Sequence, residues 1–320
     1  MIITAGDLYI SQALTNISVA TEVTDEGFVA QEVFPTVLVN KQSAKYWEYP
    51  RGAWFRSAAQ VRGPGQESAG TSWQVLSKDA YYCNVQALHV DVDDFIRANA
   101  DSVFSLDAEA TRFCKGHIAL KREYDFLSRA FVPGVWATDI TPTIKWDQPN
   151  ATPWKDIRTQ MTLTRMKTGK RPNKLVIQEH VWDVLQDCPD ILSRLTGGAT
   201  TGDPAMATLE NVAKVLGLQK IVVAGAIQNQ GVEGQLDAFA FAPGQAALLV
   251  YAAPSPGIMT LSAGYTFVWN DLYGLDAQGE RVAKFRMDPI RSDRIEAEGN
   301  WDHKVIGADL GVFFQNVLTP

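Results

Sequence analysis

Residues 105–132, SLDAEATRFCKGHIALKREYDFLSRAFV, are the stretch that decides how the rest of the chain is interpreted. Mostly apolar residues recur there in alternating steps of four and three, which predicts one stripe along a single side of a helix. The stripe comprises Leu106, Ala110, Phe113, His117, Leu120, Tyr124, Leu127 and Phe131. Ser105 suits the N-cap, and Pro133 predicts the end of the helix. Such a helix spans roughly 40 Å at ~1.5 Å per residue, which is typical of a core helix, a coiled-coil arm or a strut between extended parts.

The composition is that of a folded, soluble protein, with 46% hydrophobic and 20% charged residues in 320, and the length predicts about two domains. There is no apolar run of about 18 residues, so the sequence predicts no membrane span. The formal net charge is −7 and no basic block occurs, which disfavours tight, sequence-independent binding to DNA phosphates. A repressor or histone-like protein is therefore disfavoured, whereas a container for nucleic acid is compatible with this charge.

The first part of the chain contains two extended features. We expect residues 1–45 to form an amphipathic, irregular arm, in which Pro35 interrupts the apolar run FVAQEVFPTVLV. Residues 46–92 predict a two-stranded excursion, because KYWEYP and YYCNVQALHVDV are rich in aromatic and β-branched residues. The segment between them, RGAWFRSAAQVRGPGQESAGTS, is dense in Gly, Ala and Ser. A hairpin arm of ~15 residues a side would reach roughly 50 Å and would need a surface to lie on.

After Pro133 the pattern changes to an alternation of helices and strands. We expect one helix to begin at Pro153 and end at Gly169, and another to run between a Thr208 cap and a Gly217 stop. KLVI and KIVVAG predict buried strands, and QEHVWDVLQDC and PDILSRL predict two short helices split at a proline. This alternation predicts a compact α/β-like unit.

The last third of the chain predicts β structure. AFAF, AALLVYA and TLSAGYTFVWN suit strands, and RVAKFRMDPIRSDRIEAE suits one or two long strands with charged outward positions. The tail VIGADLGVFFQNVL is apolar enough to pack back on the body.

We expect no catalytic, cofactor-binding or metal site. The chain lacks a GxSxG elbow, a GxxxxGK[ST] phosphate loop and a GxGxxG fingerprint after a strand. The histidines, none paired at ligand spacing, are His89, His117, His180 and His303. The cysteines, which predict buried free thiols in a reducing compartment, are Cys83, Cys114 and Cys188. His117 falls on the helical stripe, where we expect a hydrogen-bonded structural histidine.

One acidic cluster raises the question of calcium. Asp91, Asp93 and Asp94 match the start of an EF-hand loop, but Ile96 and Ser102 stand where that loop requires glycine and glutamate. Solvated acids before a helix are the preferred interpretation.

The order of these features resembles the major capsid proteins of tailed bacteriophages, which have the Hong Kong 97-type fold. The resemblance rests on FVAQEVFPTV, RPNKLVIQEHVWDVLQDCPDILSRL, TLENVAKVLGLQKIVVAGA, SAGYTFVWN and VIGADLGVFFQNV, and on their order along most of the chain. It implies an α+β fold with an N-terminal arm, an extended β-hairpin loop, a long spine helix, a peripheral domain and an axial domain.

The boundaries that the resemblance implies run from one end of the chain to the other. They are an N-terminal arm at 1–45, an extended loop at 46–88, a peripheral domain with the spine helix at 89–134, an axial domain at 135–260, peripheral-domain strands at 261–300 and a C-terminal return at 301–320. Because the chain starts directly at the arm, we expect any scaffold to be a separate protein.

The implied function is that of a coat protein, not an enzyme. It would assemble with itself as hexamers and pentamers into an icosahedral shell around phage double-stranded DNA, without sequence-specific binding and without a membrane. Scaffolding, portal or decoration proteins are further expected partners, and assembly in the host bacterial cytoplasm would place the protein in the virion capsid. An encapsulin-type nanocompartment shell protein is the alternative, and an α/β enzyme with thinly spread catalytic residues or a ligand-binding protein is a third reading.

Overall fold

The computed structural model describes residues 27–48, 51–72, 75–100, 105–195, 207–229, 231, 234–236, 238–241, 244–257, 260–271 and 279–319. The helices are α1 (Ala30–Val33), α2 (Arg51–Trp54), α3 (Asp94–Asn99), α4 (Leu106–Ala130), α5 (Pro153–Thr168), α6 (Glu179–Asp187), α7 (Pro189–Leu195) and α8 (Leu209–Leu216). The strands are β1 (Thr36–Val39), β2 (Ser43–Glu48), β3 (Leu76–Tyr82), β4 (Asn84–Asp93), β5 (Asp139–Ile140), β6 (Lys174–Gln178), β7 (Lys220–Ala224), β8 (Ile227–Asn229), β9 (Phe239–Phe241), β10 (Ala247–Val250), β11 (Gly264–Trp269), β12 (Glu280–Met287), β13 (Ser292–Val305) and β14 (Gly311–Phe314).

The chain divides into two compact units. The first comprises Met1–Asp25, Gln86–Lys121 and Glu280–Gly299, and the second comprises Glu26–Val85, Arg122–Gly279 and Asn300–Pro320. Helix α4 and strand β13 each contribute residues to both units.

The first unit is built on β13, which pairs antiparallel with β12 and also pairs with β4. The two strands β12 and β13 are joined by a 3₁₀ turn at Asp288–Ile290, so the long run RVAKFRMDPIRSDRIEAE is two strands. A small apolar core of Val92, Ala110 and Ile295 lies beneath them. Along β13 the charged residues Arg294, Glu296 and Glu298 alternate with buried Ile295 and Ala297, as the sequence predicted.

The second unit contains a five-stranded sheet in the order β5-β14-β10-β6-β7. Strands β10 and β14 are continuous apolar runs that are buried along their whole length, as expected where both faces of a sheet are covered. Along β10, Ala247 and Leu249 pack against the helices α5 to α8, while Leu248 and Val250 pack against α1 and the C-terminal end of α4. The predicted α/β-like unit and the return of the apolar tail as β14 are confirmed.

The ends of α5 and α8 lie at the capping residues that the sequence predicted. Pro153 begins α5, and Gly169 ends it in the left-handed conformation at φ 73°. The Thr208 side chain accepts a hydrogen bond from the Asn211 backbone N–H, and Gly217 ends α8 at φ 74°. Residues 196–206 lie outside the described residues, as do residues 1–26 of the predicted arm.

Helix α4 confirms the predicted spine helix, with a different buried side. The buried residues follow steps of four, at Ala110, Cys114, Ile118, Arg122, Phe126 and Ala130, with Glu123 and Leu127 beside them. Phe113 and His117 are exposed instead, and their rings contact each other at a centroid distance of 4.4 Å. The expectation of a structural histidine in the stripe was therefore wrong, because hydrophobic spacing alone did not distinguish two stripes that lie about 60–100° apart on one helix.

A buried carboxylate joins α1 to α4 in the second unit. One oxygen of Glu123, Oε2, accepts hydrogen bonds from the backbone N–H groups of Val29 at 3.0 Å and Ala30 at 2.9 Å. These donors open the four-residue helix α1, whose first N–H groups have no partner within the helix. Desolvation raises the pKa of Glu123 to about 7, although the two amides and the charge of Arg122 oppose the rise.

Phe34 follows α1 and completes the same core. Its ring lies edge-on to Phe126 at a centroid distance of 5.0 Å. It also fills the space beside Gly264, where a Cβ atom would lie 2.4 Å from the ring. The side-chain-free position on β11 is therefore a requirement of this packing.

We expect Gly264→Ala to destabilise the protein by about 1–3 kcal/mol, because the added methyl group overpacks the Phe34 site. Gly70→Ala is the matched control, since nothing lies within 4 Å of a Cβ at that position. Chemical denaturation followed by circular dichroism measures both. Equal midpoints for the two variants would contradict the packing described for Phe34.

We expect Glu123→Gln to remove part of the pH dependence of stability. A carboxyl with a folded pKa near 7 and a model value of 4.5 binds its proton more tightly in the folded state, so wild-type stability falls as pH rises from about 4.5 to 7. The wild type should lose up to about 3 kcal/mol relative to the glutamine variant over that range. Buried His303, whose pKa is lowered to about 3 chiefly by desolvation, acts in the opposite sense in both proteins and cancels in the difference. Urea titrations at each pH give the free energy of unfolding of both proteins. If the two free energies change with pH in parallel, this expectation is contradicted.

Candidate assembly surface

The residues considered for metal binding have protein partners. Arg294 pairs with Asp91 through two contacts of 2.7 and 2.8 Å, and Arg286 pairs with Asp94. The Asp93 side chain caps α3 by accepting from the Phe95 backbone N–H at 2.7 Å. Within the described residues, no group of His, Cys, Asp and Glu has a geometry that could hold a metal ion.

Further charged residues of the first unit form an ion-pair network. Asp293 contacts Arg97 at 2.6 Å and Arg286 at 3.2 Å, and Asp107 contacts Arg97 at 2.7 Å and Lys284 at 2.6 Å. Hydrogen bonds from Arg97 and Arg286 hold the pKa of the Asp293 carboxyl well below its usual range. The opposite charges in these pairs compensate one another. The acids that the sequence analysis interpreted as solvated, Asp91 and Asp94, therefore form ion pairs with arginines.

His303 and the three cysteines are buried. His303 is buried, with Nδ1 at 2.9 Å from the Thr266 hydroxyl and its ring edge-on to Phe126. All three cysteines are buried free thiols, as predicted, and burial raises the pKa of Cys83 to about 12. A thiol with this pKa is protonated and unreactive near neutral pH.

The predicted excursion has a short paired base and a long exposed tip. Strands β2 and β3 pair antiparallel over residues 43–48 and 76–82, with a register shift between Lys45 and Trp47. The hairpin of ~15 residues a side was therefore wrong, because the Gly- and Ala-rich stretch offers few side chains to hold two strands together. The run YYCNVQALHVDV also divides, since β4 leaves the hairpin and pairs with β13.

The tip, which we define as residues 51–72, has little intramolecular cover. After the short helix α2, no strand forms in 55–72. Trp54 and Phe55 are 55% and 66% exposed, and Val61 is fully exposed. Trp47 on β2 adds a further large apolar side chain that is 67% exposed. Apolar side chains exposed together in this way are typical of a surface that another molecule covers.

One contact fixes the start of the tip within the second unit. A Cβ atom on Gly169 would lie 2.7 Å from Cζ of Phe55, so the ring rests directly on this glycine. The same residue ends α5 with φ 73°, a conformation in which glycine is preferred. Gly169 therefore ends α5 and also contacts the Phe55 ring at the start of the tip.

The base of the excursion is anchored to the body by aromatic and polar contacts. The Tyr81 ring stacks on Phe267 at a centroid distance of 4.6 Å. The Tyr82 backbone N–H donates to Asp302 at 2.9 Å, and Asp302 also forms an ion pair with Arg129 of α4. The Cys83 thiol donates to the Phe267 carbonyl at 3.5 Å. These contacts hold the β3 end of the exposed segment on the body of the second unit.

Sequence reasoning did not identify Asp302, Arg129 or the exposed Phe113. Asp302 lies in a strand where an acid suggests an outward position, yet it is 3% exposed. No local pattern reveals that its partners are a backbone N–H from residue 82 and a guanidinium from residue 129. The Gly- and Ala-rich composition of residues 51–72 was the only signal for the tip.

Two curated relatives share most of the length of the chain. The chain is 26% identical over 303 residues to the major capsid protein of Pseudomonas phage JBD67, covering 91% of this chain and 92% of the relative. It is 21% identical over 317 residues to the major capsid protein of Burkholderia phage BcepMu, covering 96% of each. No protein-family model matches the chain. The predicted resemblance to tailed-phage major capsid proteins is confirmed.

Solved structures give the same result for the fold. A phage-related protein from Bordetella bronchiseptica matches with a TM-score of 0.69 at 18% identity, covering 92% of this chain and 93% of that protein. The capsid of cyanophage P-SCSP1u matches with a TM-score of 0.61 at 11% identity, covering 97% and 93%. An encapsulin complex from Synechococcus elongatus matches with a TM-score of 0.56 at 12% identity, covering 96% and 95%. The α+β, Hong Kong 97-type fold is confirmed.

No helix in the described part of the chain combines the length and apolar character that a membrane span requires.

We expect Tyr81→Ala to loosen the base of the excursion by about 3 kcal/mol, because the variant loses a buried aromatic stack. Tyr82→Ala is the matched control, since that side chain is 53% exposed and only its backbone N–H binds Asp302. Hydrogen exchange should accelerate in β2 and β3 of the first variant while β10 stays protected. Equal exchange in both variants would show that the stack does not hold the hairpin.

Proposed function

Because the chain has the Hong Kong 97-type capsid fold and its relatives are phage major capsid proteins, we propose that it assembles with itself, as hexamers and pentamers, into an icosahedral shell around phage double-stranded DNA. In this proposal the protein is a structural component of the virion, built in the host bacterial cytoplasm. It is not an enzyme.

The observation that carries the proposal is the exposed tip on its anchored base. Trp54, Phe55 and Val61 face solvent in a single copy, and exposing such side chains in a monomer has no stabilising effect. A second copy that covers them converts exposed apolar surface into an interface. Because a shell repeats every contact many times, a modest contact per copy is enough to hold it together.

The charge of the chain supports a container rather than a DNA-binding protein. A net charge of −7 repels phosphates, which keeps the packaged nucleic acid from adhering to the protein. The proposed partners are therefore other copies of the chain, with separate scaffolding, portal or decoration proteins.

The segments have proposed roles within the shell. Residues 1–45 would serve as the arm, 46–88 as the extended loop, 89–134 and 261–300 as the peripheral domain, 135–260 as the axial domain and 301–320 as the return. The axial domain would surround the centre of each hexamer or pentamer.

An encapsulin-type nanocompartment is the second candidate, since an encapsulin complex shares the fold over 96% of this chain. The two functions differ in their contents and in their genes. A neighbouring portal and terminase would support the capsid, whereas a neighbouring peroxidase or ferritin-like cargo would support the compartment.

We expect replacement of residues 57–71 by a short Gly-Ser turn to leave the subunit folded and to abolish normal shells. The segment contributes no buried side chain, and a surface loop can change length at small entropic cost. Circular dichroism tests the fold, and electron microscopy with sedimentation tests assembly.

Two control variants distinguish a loss of segment length from a loss of apolar contacts. A Gly-Ser segment of the original length shows whether reach alone is sufficient, and the double substitution Trp54→Ser and Phe55→Ser removes the apolar contacts while keeping the length. Shells of normal size from the shortened variant would refute the role of the tip. A wild-type protein that remains monomeric at high concentration would refute the coat-protein function itself.

A further inference from the structure

Three arginines gather on one side of the helical layer in the second unit. Arg158 and Arg165 lie two turns apart on α5, and Arg171 follows the end of that helix. The arginine cluster, as we call these three residues, lies near the C-terminal end of α8. Arg158 donates from Nη1 to the Leu216 carbonyl there, at 3.2 Å.

The guanidinium groups of Arg158 and Arg171 converge on Gly217. A Cβ atom at that residue would lie 3.1 Å from Nη1 of Arg158 and 3.4 Å from Nη2 of Arg171. Two like charges therefore share one small space, which a side chain at position 217 would fill. Such an approach is unfavourable unless a negative group lies close to both.

No such negative group is present in the described part of the subunit. Among those residues, the arginine cluster makes no ion pair, and Nε of Arg171 is buried without a hydrogen-bond partner. Desolvation, followed by the charges of Arg158 and Arg165, lowers the pKa of Arg171. The nearby Arg194 differs, since it pairs with Asp190 at 3.2 Å.

A complementary surface lies on another helix of the same chain. The acidic stripe, which we define as Glu179, Asp183 and Asp187, occupies successive i, i+4 positions of α6. Its side points away from the buried face of α6, which is formed by Val181, Trp182 and Leu185. Within the part of the chain that is described, the acidic stripe makes no ion pair, so it does not meet the arginine cluster inside one subunit.

We propose that the arginine cluster binds the carboxylates of the acidic stripe on a second copy of the chain. The inference rests on the proposed function, because a ring of identical subunits joins two different surfaces of each chain head to tail. Guanidinium groups bind carboxylates in a bidentate manner, which gives the contact both strength and orientation. The contact completes the charge balance that each isolated subunit lacks.

The test uses charge reversal in the full-length protein. Arg165→Glu and Asp183→Arg should each lower the yield of rings and shells by about tenfold, and the double variant should restore most of it, because the pair is exchanged rather than removed. The wild-type yield should also fall as salt is raised, since the contact is ionic. Analytical ultracentrifugation and electron microscopy measure the yield.

Lys167→Glu is the matched control, because it makes the same change of charge on α5 about 200° around the helix from Arg165. We expect its assembly to match that of the wild type. Circular dichroism checks the fold of each variant, and Arg165→Gln gives a milder loss in the same direction if the reversal unfolds the subunit.

Each result bears on a separate claim. Normal assembly of Arg165→Glu overturns the contact alone, and impaired assembly that Asp183→Arg does not rescue overturns the acidic stripe as its partner. Loss of binding to a labelled oligonucleotide with unchanged assembly would make the cluster a nucleic-acid site instead. A wild-type protein that never assembles overturns the proposed function and this contact with it.

Discussion

The second unit depends on one carboxylate that has no access to water. Glu123 supplies the only acceptor described for the first two N–H groups at the start of α1, and it reaches them from the middle of α4. Without it, a helix of four residues would leave those donors unpaired in an apolar core, where they cannot bind water. The position of α1 then directs Phe34 onto Phe126 and Gly264, and the chain continues from there into β1. The order of contacts thus starts from a polar group in a mainly apolar core.

The elements whose signals are local were predictable from the sequence. The start of α5 at Pro153, the Gly169 stop and the Thr208 cap depend on the backbone preferences of single residues. The spine helix, the split at Pro189 and the buried strands of the five-stranded sheet follow from hydrophobic spacing. These signals act over a few residues, so one sequence is enough to reveal them.

Contacts between distant residues were not predictable in the same way. The stripe on α4 was right at Ala110 and Leu127 but wrong at Phe113 and His117, because these two fit a helical repeat as well as Cys114 and Ile118 do. The candidate surface was found only through its composition, and its anchor, Asp302, lies more than two hundred positions away from Tyr82. The arginine cluster was equally hidden, since Arg158 and Arg171 meet at Gly217 only after α5 and α8 pack together.

The position of β14 affects the moment at which a nascent chain can finish folding. This strand is an interior member of the five-stranded sheet, with β5 on one side and β10 on the other, although it is formed by residues 311–314. Until those residues leave the ribosome, β10 has an unpaired edge and the sheet is incomplete. The five-stranded sheet can therefore be completed only after residues 311–314 have been translated. Pairing with β14 then removes an edge of β10 that would otherwise be open to pairing with another chain.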